Sequence, residues 1–227
     1  FPSVCDWLDE EVSIDLFVRF LKLIHETQNL DWLLLTKRPE KFFQRLESAW
    51  KYGVGTDDQR FQDWLRFWGM NGVPPSNVWV GTSVEDQQRA DERIPALLKI
   101  PARVRFLSVE PLLDQVLLTI DELAISIDWI IVGGESGHRA RTCNIDWARI
   151  LVHQCATAGV PCFVKQLGAR PVTSNVNLYD FQDSVELLEP TDGAKGFAAA
   201  RIMLKHPKGG DPAEWPEDLR VRQFPSR

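Results

Sequence analysis

The 227-residue chain is 44% hydrophobic and 26% charged, enough to bury a full core as one α/β domain with a small appendage. Its 26 Lys+Arg against 32 Asp+Glu give a net charge of −6, which excludes a global basic field for nucleic acid and leaves room only for a local basic patch. No apolar run approaches the roughly 20 residues of a membrane span, and Cys5, Cys143, Cys155 and Cys162 form no CxxC pair, so free thiols in a reducing, cytoplasmic setting are expected rather than disulfides.

Phe1-Pro2-Ser3-Val4 reads as the end of a strand, with neither an initiator Met nor a signal sequence. A chain lacking its first segment is therefore expected. From Ser13 to Thr27, the apolar stripe Ile14, Phe17, Val18, Leu21 and Ile24 predicts a helix capped by Ser13. A strand follows at 32–36. Pro39 can open the next helix, Glu40 to Trp50, because a first-turn proline gives up no internal hydrogen bond. Asp57 to Met70, with Phe61, Trp64, Leu65 and Trp68, predicts a further amphipathic helix or an inserted lid. A strand at 78–82, a helix from Val84 to Lys99 and a strand at 104–108 come next. A connection carrying Leu117, Leu118 and Leu123 leads to a strand at 129–132. The helix Asp146 to Ala158, with Gly159 at its C-cap, precedes the strand 162–165.

Strand starts recur about every 25 to 45 residues, the length of a strand plus a returning helix. The expectation is an α/β fold, a partial (β/α) barrel of parallel strands over residues 1–168. Residues 169–227 are rich in Pro, Gly and charge. They are expected to form a largely irregular C-terminal extension with one helix near Gly196 to Leu204, packed on the barrel.

Four strands end abruptly in polar residues: Thr36-Lys37-Arg38, Thr82-Ser83-Val84-Glu85, Ser108-Val109-Glu110 and Gly133-Gly134-Glu135. In parallel α/β folds the strand interiors fill the core and the loops after them carry the chemistry. Gly133, Gly134 and Gly137 allow backbone N–H groups to approach a ligand, and Ser136 can cap the turn. The alternative is a plain βα turn. His138, Arg139 and Arg141 tilt this loop toward an anion. Glu110 precedes Pro111, which fixes it at the strand end. With Glu135 or Glu85 it could form an acid/base couple if their environments separate the two pKa values. A strand-end salt bridge to Lys37, Arg38 or Lys165 is the competing reading. Lys37 and Lys165 could also bind phosphate or carboxylate as point charges. The four histidines lack metal-ligand spacing. The nine tryptophans are expected to pack, with Trp64 and Trp68 as the pair that could line a cleft.

The blocks Asp31-Trp32-Leu33-Leu34-Leu35-Thr36-Lys37-Arg38, Trp79-Val80-Gly81-Thr82-Ser83-Val84-Glu85, Phe106-Leu107-Ser108-Val109-Glu110-Pro111, Trp129-Ile130-Ile131-Val132-Gly133-Gly134-Glu135-Ser136-Gly137 and Phe163-Val164-Lys165-Gln166-Leu167-Gly168 appear in that order. Lys208-Gly209-Gly210-Asp211-Pro212-Ala213-Glu214-Trp215-Pro216 follows near the end. Together they resemble the phage and prophage protein family named for gene products thirty-seven and sixty-eight. The resemblance implies a radical S-adenosylmethionine-like partial barrel whose members carry three cysteines in an amino-terminal segment, ligating a [4Fe-4S] cluster. Cys5 has no companions, so no cluster ligand carries over to this chain. By fold analogy, Thr82, Ser83 and Glu85 would face a ribose or amino acid moiety, and Gly133, Gly134 and Ser136 would line the cofactor. Glu110 and Glu135 would meet an amine or hydroxyl. Lys37, Arg38 and Lys165 would meet a carboxylate or phosphate.

Three functional expectations stand. The first is the barrel portion of a radical S-adenosylmethionine enzyme acting on a nucleic acid base or a peptide. The second is a metal-independent hydrolase or lyase in which Glu110, Glu135 and Lys165 are catalytic. The third is a non-catalytic phage interaction protein.

Overall fold

The computed structural model describes residues 6–53, 58–119, 123, 126–174, 185–187 and 200–226. The expected amino-terminal strand remnant and Cys5 lie outside them. A parallel five-stranded sheet has the order β1-β2-β3-β4-β6, formed by β1 (Trp32–Thr36), β2 (Val78–Ser83), β3 (Val104–Val109), β4 (Trp129–Gly133) and β6 (Cys162–Gln166). Every strand expected from the apolar runs is present, four of them one residue longer at the polar end. The two central strands β2 and β3 are almost wholly buried, as their near-continuous apolar sequences require. Edge strand β1 alternates instead, with Leu34 and Thr36 inward and Leu33 and Leu35 exposed.

The chain packs as two compact units, one of residues 1–83 and 91–107 and one of residues 84–90 and 108–227. In the first, α1 (Ile14–Glu26) starts at Ser13, whose hydroxyl accepts the Leu16 N–H. Its buried stripe is Phe17, Phe20, Leu21 and Ile24, the i, i+3, i+4, i+7 spacing of one helix face. A 3₁₀ turn, Pro39–Lys41, leads into α2 (Phe42–Gly53), and Asp58 caps α3 (Gln59–Gly69) by accepting the Phe61 N–H. Trp68 is fully buried, stacked on Trp7 at 6.1 Å and edge-on to Phe42 at 5.2 Å, and its indole N–H donates to the Pro101 carbonyl. Trp68 is therefore core, with Trp64 packed edge-on against it at 5.3 Å, and this pair does not line a cleft. Helix α4 (Gln87–Leu97) completes the α/β alternation before β3.

In the second unit, α5 (Ile145–Ala158) is capped by Asn144 and stops at Gly159, whose φ of 71° is the left-handed turn that glycine adopts freely. This unit also holds a sheet of order β5-β7-β9-β8, formed by β5 (Cys143–Asn144), β7 (Pro171–Thr173), β8 (Val185–Leu187) and β9 (Ala200–Ile202). Three of its strands, β7, β8 and β9, lie beyond residue 168, where the other described residues are mostly irregular apart from two short 3₁₀ turns. The sheet corrects the helix expected near 196–204. Residues 196–199 lie outside the described residues, and Ala200–Ile202 is a strand paired antiparallel to both β7 and β8. Ala200 and Ile202 are buried while Arg201 is not, a period of two that three residues show too briefly to distinguish from a helical stripe. Two 3₁₀ turns, Pro212–Glu214 and Glu217–Leu219, follow. Residues 221–223 then lie antiparallel along β6, with Val164 N–H donating to Val221 O and Gln223 N–H to Cys162 O. That pairing covers the edge of the parallel sheet.

Candidate functional site

Glu110 stands one residue past β3, and the chain after it is tied down at once. Leu112 N–H donates to Gly133 O and Leu113 N–H to Glu85 O, each at 2.9 Å. The Glu110 carboxylate then lies over the end of β4, where a Cβ on Gly133 would come within 3.1 Å of its Cδ. Lys165 Nζ donates to Oε1 at 3.2 Å and to Oε2 at 3.0 Å. Gln166 Nε2 reaches Oε1 at 3.2 Å and the Gly134 carbonyl at 2.9 Å. Adjacent strand residues point to opposite faces, so Lys165 and Gln166 should not share a partner. They do because the register of β4 against β6 slips at this point: Val132 pairs Val164, but Gly133 pairs Gln166. Such irregularities re-aim side chains at strand ends.

The Lys165 side chain is 54% exposed and that of Glu110 19%. A pair so open to water contributes at most about 1 kcal/mol to stability, so its value is chemical. An ammonium has three donors and an ionised carboxylate about four acceptor positions. Two donors of Lys165 are committed to Glu110, leaving one, and Oε2 accepts only from Lys165 among the described residues. A spare cationic donor and a spare anionic acceptor therefore sit side by side at the carboxyl ends of β3 and β6.

Glu135 is committed differently. Arg141 donates Nε to its Oε2 at 2.8 Å and Nη2 to its Oε1 at 3.0 Å, and the Arg141 backbone N–H adds a third bond at 2.8 Å. The guanidinium first, then the amide, hold the Glu135 carboxyl down at about 2, while Glu135 and more weakly Glu85 hold the Arg141 guanidinium above its usual range. A carboxyl depressed in the folded state stabilises the fold above its unfolded value of 4.5 and loses that contribution as pH falls toward 2. The pair is partly exposed, so Arg141→Ala is expected to lower stability by about 1 kcal/mol at neutral pH. In urea titrations the difference from the parent should shrink steadily as pH falls from 4.5 toward 2; a difference that does not change with pH would assign the effect to packing.

The loop between these groups is closely packed backbone. A Cβ on Gly134 would lie 2.4 Å from the Leu167 carbonyl oxygen. Gly168, at φ +86°, leaves no more room, since a Cβ there would lie 2.9 Å from the Glu135 carbonyl. Gly209, at φ +58°, would meet the Gly168 carbonyl at 2.5 Å. Ala169 N–H donates to Glu135 O and Leu167 N–H to Gly209 O, so three separate loops meet at a glycine junction. Ser136 is exposed on its rim. Glu85 is 8% exposed in the same unit.

Lys37, Arg38, Thr82 and Ser83 belong to the first unit. Arg38 bridges Asp6 and Asp9, each at 3.1 Å, and the Lys37 backbone N–H also donates to Asp6 at 2.8 Å. Thr82 is fully buried, its hydroxyl donating to the Thr36 carbonyl at 2.8 Å, and the Ser83 carbonyl accepts from Arg93 at 2.8 Å. The structure therefore brings together Glu110, Lys165, Gly133, Gly134, Glu135 and Ser136 within the second unit. Sequence reasoning missed Gln166, Gly168 and Gly209. Only the position of Gln166 beside a strand-end lysine and the Gly209-Gly210 pair could have signalled them.

Among the described residues no group of three His, Cys, Asp or Glu side chains could hold a metal ion. Cys143, Cys155 and Cys162 are free and buried. Burial pushes the Cys143 thiol up to about 12, and a hydrogen bond with Cys155 followed by burial raises that of Cys162. Iron–sulfur ligation needs clustered thiolates, and these three thiols do not fit it. No helix among the described residues is long and apolar enough to cross a membrane.

Residues 1–201 match the model of a family described as a protein of unknown function, DUF5131, and the chain belongs to that family. No curated protein and no solved structure matches it.

Proposed function

We propose that the chain is the partial-barrel portion of a phage-type radical S-adenosylmethionine enzyme, and that Glu110 and Lys165 hold the amino acid end of that cofactor. The carrying observation is the Glu110–Lys165 pair, its lysine half-exposed, with one donor and one acceptor to spare. An α-amino acid presents an ammonium beside a carboxylate, and these match the spare acceptor on Glu110 Oε2 and the spare donor on Lys165. Gln166, anchored on the Gly134 carbonyl, fixes the carboxylate so that little ordering remains for the ligand to impose. When bound, S-adenosylmethionine supplies a sulfonium centre whose carbon–sulfur bond can be cleaved. The iron–sulfur part of the reading has no ligand set among the described residues, so support rests on the organic half of the cofactor alone.

A metal-independent acid/base enzyme is the second reading, and one observation narrows it. Glu135 at about 2 stays ionised at neutral pH and cannot donate a proton. That leaves the Glu110–Lys165 pair as the remaining candidate.

Isothermal titration of the 227-residue chain with S-adenosylmethionine is expected to show one site, weakened about 10- to 100-fold by Glu110→Gln or Lys165→Met, the worth of one charge-assisted hydrogen bond. Free methionine should compete weakly. No heat with the cofactor at about 1 mM, a concentration that reveals even weak sites, overturns the reading, as does binding indifferent to both substitutions.

A further inference from the structure

Around the glycine junction, four cations have no partner among the described residues. Arg139, Arg170, Lys205 and Lys208 are exposed, and their side chains make no hydrogen bond or ion pair among the described residues. They come from the three loops joined by the Ala169–Glu135 and Leu167–Gly209 backbone bonds. Each therefore lies within a few residues of one of these bonded positions. His206 adds a donor: its Nδ1 accepts the Lys208 and Gly210 backbone N–H groups at 3.2 and 2.9 Å, which leaves Nε2 as the ring's donor. In a chain of net charge −6, four cations unpaired among the described residues supply the local basic patch that overall charge does not.

We infer that this surface of the second unit binds the phosphate backbone of a nucleic acid strand, bringing one of its residues beside the Glu110–Lys165 site. Naming the nucleic acid as substrate rests on the proposed function; the binding surface stands on the charges alone. The positive groups come from separate loops, matching a chain of regularly spaced phosphates better than a single point anion. Arg139 and Arg170 present planar forks that take phosphate oxygens in pairs. A peptide partner would be held by aromatic and aliphatic anchors. In these loops the only large exposed apolar side chain among the described residues is Met203.

Fluorescence anisotropy with a labelled single-stranded oligonucleotide of about 20 residues tests the surface, because each phosphate neutralised adds roughly −0.7 to the slope of log K against log salt. The parent protein is expected to give a slope of about −3 from four contacts, and Arg139→Ala/Arg170→Ala/Lys208→Ala a slope of about −1 with affinity down tenfold or more. Arg139→Lys/Arg170→Lys should keep most of the slope. None of these residues touches the Glu110–Lys165 pair, so the triple variant should bind S-adenosylmethionine as the parent does. Equal oligonucleotide binding by parent and triple variant overturns the inference. Equal competition by polyglutamate does so too, since it would mark a general polyanion surface. Loss of cofactor binding in the parent, with the salt slope intact, would sink the proposed function and leave the surface standing.

Discussion

Replacing Trp215 with alanine is expected to lower stability by about 4 kcal/mol, within the range for emptying a buried indole site, and to drop the melting temperature by roughly 10 °C. The indole is 2% exposed, and its N–H donates to the Gly209 carbonyl at 2.9 Å. That carbonyl also accepts the Leu167 N–H, so Trp215 fixes the acceptor that holds the loop after β6. Arg220 donates Nε and Nη2 to the Trp215 carbonyl at 3.0 and 2.8 Å, and the Arg222 guanidinium lies 5.4 Å from the ring centre. Truncation leaves a cavity beneath Arg222 and frees residues 205–223 from their centre. Trp215→Phe keeps most of the volume and loses only the N–H, so about 1 to 2 kcal/mol is expected for it. Thermal and urea unfolding of the two variants separate these contributions. A Trp215→Ala protein as stable as Trp215→Phe would mean that the ring is not packed as the structure has it.

That tryptophan was visible in the sequence only as part of a block that carries the family resemblance. Nothing in Lys208-Gly209-Gly210-Asp211-Pro212-Ala213-Glu214-Trp215 says that its carbonyls serve the loop after β6. By contrast, the five parallel strands could be read directly. Runs such as Trp129-Ile130-Ile131-Val132 are buried on both faces, so hydrophobicity alone marks them. The helices were legible where a stripe met a cap, as at Ser13 and Gly159. The small second sheet was not. Strands of two or three residues, such as Cys143–Asn144 and Ala200–Ile202, are set by their partners and carry too little periodicity to be seen.

The site shows the same division. Glu110 and Lys165 stood out as strand-end charges, and their salt bridge was one of two readings the residues allowed. Choosing between them needed the register slip between Val132 and Gly133, which turns Lys165 and Gln166 to the same carboxylate. Glu135 was expected to share in acid/base work, and Arg141 to meet an anion. Their mutual pairing depends on how the loop from Gly137 to Ala140 turns, closed by the Ala140 N–H on the Gly137 carbonyl at 3.2 Å. Spacing of six residues outside a helix does not encode that contact.

Gly134→Ala should be the most damaging small change near the site, with an expected loss of about 3 kcal/mol and roughly 6 to 12 °C in melting temperature. All three atoms that its Cβ would meet are backbone: Leu167 O at 2.4 Å, Leu167 C at 2.7 Å and Gly168 Cα at 2.9 Å. A side-chain rotation cannot relieve this, so β4 and the loop after β6 must move apart. The Gly134 N–H bond to Gln166 O and the Gln166 side-chain bond to Gly134 O, both at 2.9 Å, would stretch together and carry Gln166 away from Glu110. Gly133→Ala makes the informative contrast. The nearest atoms its Cβ would meet all belong to the Glu110 side chain, at 3.1 to 3.4 Å, which can swing aside. Stability should then fall by about 1 kcal/mol, while ligand binding at the displaced carboxylate falls as far as in Glu110→Gln. Gly137→Ala, at φ +107° with nothing within 4 Å, isolates backbone strain, about 1 to 2 kcal/mol, without any close approach. If unfolding ranks Gly134→Ala level with Gly133→Ala, the two strand ends are not in backbone contact and the junction does not hold Gln166 in place. If it ranks Gly134→Ala last by a wide margin, the close approach of β4 to the loop after β6 is what sets the Glu110–Gln166–Lys165 geometry.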